Sequence, residues 1–206
     1  MSAAGTGGRM LGKRLITPHC VVAVSKMCSV MASSAALRNG WLSLRWYGLA
    51  ALVIVLDQYT KFLAESALDY GRPVEVFSWF NLTLQYNTGA AFSFLSDAGG
   101  WQRYFFSAVA VLISAILVVW LYRLPRDHKL LALALALILG GALGNVWDRI
   151  MLGHVVDFIS VHYAGRYFPA FNIADSAISV GAACMIFDSL FGGESNTSTE
   201  RGIKAK

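Results

Sequence analysis

Four apolar runs set the limits on what this chain can fold into, because each is long enough to cross a bilayer. A spanning helix needs roughly 20 mostly apolar residues, with about 17 as a lower limit. The runs are Leu42 to Leu63, Tyr104 to Tyr122, Leu130 to Val146 and Phe171 to Leu190. The chain has 206 residues, 56% hydrophobic and 14% charged, with a mean hydropathy of +0.55. A soluble domain is nearer a quarter charged. The pattern predicts a multi-pass membrane protein. Trp101 and Trp120 read as interfacial anchors of the second run. Small residues in the third and fourth runs predict close helix packing.

Orientation follows from Lys and Arg beside the runs. Arg38 and Arg45 precede the first, Arg123, Arg126 and Lys129 join the second to the third, and Arg201, Lys204 and Lys206 follow the fourth. The other two connections carry chiefly Arg72, Arg103, Arg149 and Arg166. Both termini are therefore expected in the cytoplasm, with the segments from Glu65 to Gly100 and from Trp147 to Ala170 outside.

In the first outer loop, Phe80, Leu82, Leu84 and Tyr86 alternate with Asn81, Thr83 and Gln85, which predicts a strand with one apolar and one polar face. Asn87-Thr88-Gly89 ends it as a turn, and Val74 to Phe77 is a candidate partner. The expected fold is an all-α membrane protein with four transmembrane helices and a small extracytoplasmic β-sheet in the first outer loop. Residues 1–41 allow a cleaved signal peptide, with small residues at Ser34-Ala35-Ala36, but read better as a disordered cytoplasmic extension, or as a start placed too early, with Met27 and Met31 available. Residues 42–190 form the four-helix membrane domain, and 191–206 a cytoplasmic tail.

The net charge of +5 belongs to topology and not to nucleic acid, since no basic stripe with interleaved aromatics occurs. Cys20, Cys28 and Cys184 have neither redox nor metal-ligand spacing. His154 and His162 flank Asp157 without a second pair of ligands, so no metal is expected. No cofactor is expected either. Gly-x-Ser-x-Gly, P-loop and His-Glu-x-x-His patterns are absent.

Two aspartates carry the chemistry. Asp157 sits inside the apolar pentapeptide Val155 to Ile159, and Asp175 sits about one turn inside the fourth run. Ionisable residues at membrane depth are costly and read as functional. Two carboxyls in a poorly hydrated place do not easily both ionise, so one keeps its proton and the pair offers an acid and a base. Each also has a plainer reading: Asp175 as a first-turn acid on the helix dipole, and Asp157 as a turn or cap. Asn172 is a natural N-cap three residues before Asp175. Asp57 and Lys61 form an i,i+4 pair, expected to be structural. Asn145, Asp148 and Arg149 close the third run as a polar network or as caps.

Five blocks then match a known family in its own order. They are Leu56-Asp57-Gln58-Tyr59-Thr60-Lys61, Tyr86 to Ser93, Gly140 to Arg149, Val155-Val156-Asp157-Phe158 and Phe171 to Ser176. Over roughly residues 42–190 the chain resembles the bacterial lipoprotein signal peptidases, or signal peptidase II. The resemblance implies an inner-membrane aspartyl endopeptidase that cuts signal peptides from diacylglyceryl-modified prolipoproteins, just before the lipidated cysteine. It implies Asp157 and Asp175 as the catalytic pair. Asn87, Gly89, Asn145, Arg149 and Asn172 match positions lining or supporting the site, and Asp57, Lys61 and Asp148 match structural polar positions. The implied partners are lipid-modified prolipoproteins and membrane lipid, with the enzyme a monomer. The family is the target of the cyclic peptide antibiotic globomycin. Two competing classes are a small proton-coupled carrier, which lacks the expected inverted repeat, and a non-enzymatic membrane subunit that keeps charges for assembly.

Overall fold

The computed structural model describes residues 40–88 and 101–191. Helix α1 runs Gly40–Ala67, α2 Gln102–Arg123, α3 Lys129–Met151 and α4 Ile173–Phe191. Strands β1 (Val74–Phe77) and β2 (Phe80–Asn87) lie between α1 and α2, and β3 (Val155–Tyr163) and β4 (Arg166–Tyr167) between α3 and α4. All four helices are long and apolar enough to cross a membrane. The expected extension and tail, and Gly89, fall outside the described residues apart from Gly40, Trp41 and Phe191, which are helical.

Helix α3 is the centre of the bundle and packs on each of the other three. Its buried positions are largely small: Ala132, Ala134, Ala136, Gly140, Gly141, Ala142 and Gly144. Lipid gives no hydrophobic drive between helices, so close van der Waals approach must do it. The approach is tight. A Cβ on Gly140 would stand 2.7 Å from the Ala50 carbonyl oxygen, and one on Gly181 2.7 Å from Ile138 Cγ1. The outward faces carry Leu52, Val55, Leu112, Ile116, Ile186 and Phe187, all exposed. Apolar surface on this scale suits lipid and not water. Trp120, expected at an interface, is instead buried at 4% exposure. Its ring turns inward, and its Nε1 has no partner among the described residues.

The sheet is larger than expected. Its order is β1-β2-β3-β4, and every pair is antiparallel. The connection between α3 and α4 supplies half of it. The run Val155 to Phe158 is buried throughout and shows no alternation, the signature of a strand covered on both faces. Asp157 is therefore inside a strand, not in a turn or cap. The two faces of β2 also differ from a water-exposed sheet. Asn81 and Thr83 are buried, whereas Phe80 and Leu82 are half-buried and Tyr86 is exposed. Only Leu84 of the apolar face is buried.

Three contacts position the site. Gln85, Tyr86 and Asn87 pair with Asp157, Val156 and Val155, so the end of β2 lies beside the start of β3. Helix α3 stops at Leu152 with Gly153 at φ 83°, a left-handed stop that turns the chain directly into β3. The backbone of Phe171 exchanges hydrogen bonds with Ile159 at 2.8 and 3.0 Å, pinning the start of α4 against β3.

Candidate active site

Asn172 joins the two aspartates. Its Nδ2 donates to Asp157 Oδ1 at 2.8 Å, and its Oδ1 accepts from the Asp175 backbone N–H at 2.9 Å. The Asp175 carboxylate answers by accepting from the Asn172 backbone N–H at 3.3 Å. That reciprocal pair is a capping box, so the expected N-cap and the expected dipole partner are both present. Neither role removes Asp175 from the site. Its other oxygen, Oδ1, accepts from Asn145 Nδ2 at 2.7 Å. Asp157 Oδ2 accepts from Asn87 Nδ2 at 3.1 Å. Residues from β2, α3, β3 and the start of α4 thus converge on two carboxyls.

The environments of the two differ. Asp157 is 3% exposed, while Asp175 is half-buried. Burial, and then the neighbouring Asp175 charge, push the Asp157 carboxyl up to about 7 against the opposing amides of Asn87 and Asn172 and the charge of Lys61. Desolvation disfavours the charged form. Arg149 lies near enough for the carboxylates of Asp175, Asp157 and Asp148 to act on its charge. Its Nη1 donates to the Asn145 carbonyl at 3.3 Å, and its Nε is buried with no partner among the described residues.

A second polar cluster lies directly behind. Lys61 Nζ sits 2.7 Å from Asp57 Oδ2 and 2.7 Å from Asp148 Oδ2, and donates to Asn145 Oδ1 at 3.0 Å. All three ionic partners are buried, at 0% for Asp57, 3% for Lys61 and 1% for Asp148. Asp57 Oδ1 accepts from the Ala174 backbone N–H at 2.8 Å, and Asp148 Oδ2 from Val156 N–H at 3.3 Å. These bonds tie α1 to α4 and α3 to β3. Asn145 and Asp148 lie within α3, so neither is a cap. Gln58 was not singled out from the sequence, yet its Nε2 reaches Asp148 Oδ1 at 2.7 Å and Asp57 Oδ2 at 3.3 Å. The signal was a polar side chain directly beside Asp57 in the mostly apolar first run.

Two carboxyls held by amides, one of them pushed toward neutrality, can share a proton and activate water. Comparison with known proteins gives the family. The family model for signal peptidase (SPase) II matches residues 49–191. A lipoprotein signal peptidase of Acinetobacter baumannii is 58% identical over 149 residues, covering 72% of this chain and 85% of the relative. One from Pseudomonas putida is 57% identical over 160 residues, covering 77% and 92%. A bacterial membrane enzyme solved by the in meso method at 2.3 Å matches with a TM-score of 0.65 at 32% identity, over 75% of this chain and 92% of that one. With the match running from within α1 to the end of α4, the chain belongs to the signal peptidase II family.

Proposed function

We propose that this member of the family removes the signal peptide from diacylglyceryl-modified prolipoproteins by aspartyl chemistry, with Asp157 and Asp175 as the catalytic pair. The observation that carries this reading is the single side chain of Asn172, hydrogen-bonded to both residues. Asp157, the more buried carboxyl, holds the shared proton. Asp175 takes a proton from water as the water oxygen attacks the scissile carbonyl carbon. The Asp157 proton passes to the carbonyl oxygen, giving a tetrahedral intermediate. The C–N bond then breaks, its electron pair goes to nitrogen, and nitrogen takes the proton from Asp175. Asp157 recovers its proton from a hydroxyl as the carbonyl re-forms. Arg149, whose buried Nε has no partner among the described residues, holds the substrate backbone by a charge-assisted bond.

The enzyme lies in the inner membrane as a monomer, both termini are cytoplasmic, and the site is at the outer, periplasmic face. The Lys and Arg distribution supports that orientation. Placement at an interface gives the lipidated substrate access from the bilayer and water access to the bond, since polar groups at membrane depth survive only within protein or beside a wet cavity. The sheet is the outer cover of the site.

The test is cleavage of matched precursors, with and without the diacylglyceryl group, by the wild type and by Asp157→Asn and Asp175→Asn. Each Asn keeps the shape and removes the acid–base function, so each rate is expected to fall by about 10²–10⁴-fold. The unlipidated precursor is expected to be cut very poorly by the wild type. Comparable cleavage by either folded variant overturns the catalytic assignment. Equal cleavage of both precursors overturns the lipid-dependent one.

A further inference from the structure

We infer that Lys61 is a positioning residue for the reaction, acting through Asn145 on Asp175. This rests on the reading of Asp157 and Asp175 as the catalytic pair. Its physical basis is the direction of one amide. An Asn side chain presents an acceptor at one end and donors at the other, and its neighbours decide which end faces where. Asn145 faces Lys61 with its oxygen and Asp175 with its nitrogen. An ammonium has donors only, so it cannot accept the reverse orientation. Asp175 Oδ1 must then accept a hydrogen bond, and it meets a donor at 2.7 Å.

The ammonium is itself saturated. Its three donors have three oxygen partners, Asp57 Oδ2, Asp148 Oδ2 and Asn145 Oδ1, from α1 and α3. Two of these partners are anionic and could neutralise Lys61 without Asn145. The third contact, to a neutral amide, is the one that leads to the catalytic pair. Asn172 Nδ2 also approaches Asn145 Oδ1, at 3.3 Å, but that nitrogen has two other acceptors, Val156 O and Asp157 Oδ1, for its two hydrogens. Lys61 therefore fixes Asn145 more firmly than Asn172 does. The charged groups around this chain of contacts are Asp57 on α1, Asp148 and Arg149 on α3, and Asp157 on β3.

Removing Lys61 alone leaves two buried carboxylates facing each other, so the test uses Asp148→Asn as its reference. Adding Lys61→Met to that reference returns the cluster to the net charge of the wild type, since one carboxylate and the ammonium are then both gone. It is expected to lower kcat on the order of 10²-fold relative to the reference, as a misoriented catalytic contact does, with KM within about twofold because Lys61 is buried and its donors are already taken. Asn145→Ala in the same reference is expected to lose a similar factor. The combined variant is expected to lose no more than the worse of the two, since residues acting in series are non-additive.

Losses that multiply, or a defect confined to KM, would overturn the inference. So would a lowered thermal midpoint with kcat unchanged. Asp175→Asn is assayed in parallel. If it cleaves like the wild type, the catalytic reading itself has failed. If it is inactive while the losses multiply, only the role of Lys61 has failed.

Discussion

Asn172 donates to Asp157 Oδ1 at 2.8 Å from a position that also caps α4, so one residue ends the approach to a helix and orients a carboxyl on a strand. The two duties are separable by substitution. Serine keeps an oxygen for the cap, and N-cap Ser and Asn are nearly equivalent. It has no amide to reach Asp157. Asn172→Ser is therefore expected to unfold within a few degrees of the wild type and to cleave on the order of 10²-fold more slowly. Thermal unfolding in detergent and a cleavage assay read the two effects. Wild-type cleavage by this variant would show that the bridge to Asp157 is idle.

The Asp157 carboxyl stands at about 7, raised first by burial and then by Asp175, from an ordinary value of 3.8. As the proposed proton donor it has to be protonated, so cleavage is expected to fall as pH rises through about 7. The folded chain holds this proton more tightly than the unfolded one. The associated stability is full below 3.8 and is lost as pH rises toward 7. The amide of Asn87 opposes the rise. Asn87→Ala is then expected to move the alkaline limb of the pH–rate profile to higher pH. A limb that stays still or moves down counts against Asp157 as the acid.

The spans and the acidic pair were legible in the sequence, while the second half of the sheet was not. Long apolar runs announce helices because each must satisfy its backbone within itself in lipid. The boundaries came out short at Val146, because the polar residues Asn145, Asp148 and Arg149 resemble an exit from the membrane. The helix continues to Met151, since those residues find one another and Lys61 inside the bundle. Strand β3 was hidden for a different reason. A short apolar run buried on both faces has no period, and only its pairing with β2 identifies it. Trp120 shows the limit of reading an aromatic near a helix end as an anchor: which way the ring turns depends on tertiary packing.

Topology is open to direct measurement. The distribution of Lys and Arg predicts that reporter fusions after Lys129 and after Lys206 report the cytoplasm. A fusion after Gly99 is expected to report the outside. An external signal from the Lys206 fusion would require an odd number of spans and would move the site to the wrong side of one of them.

The last prediction concerns how the bundle holds the site together. A Cβ on Gly141 would collide with the carbonyl oxygen of Ala174 and stand 2.8 Å from Ile178 Cγ1. The carbonyl is backbone in the first turn of α4, so it cannot rotate away as a flexible side chain would. Gly141→Ala must push α4 from α3. The Ala174 N–H that donates to Asp57 Oδ1 at 2.8 Å moves with it, and so does Asp175, the next residue. Overpacking of this kind costs about 1–3 kcal/mol, and a shift of about 1 Å at a catalytic group can cost 10²-fold in rate. Gly48 is the control, because nothing lies within 4 Å of a Cβ placed there. Thermal unfolding and cleavage are measured for Gly141→Ala and Gly48→Ala together. The first is expected to lose both stability and rate, and the second to keep its rate and gain slightly in stability, as alanine favours a helix by roughly 1 kcal/mol over glycine. Equal behaviour of the two would mean that the close approach of α3 and α4 does not set the position of Asp175.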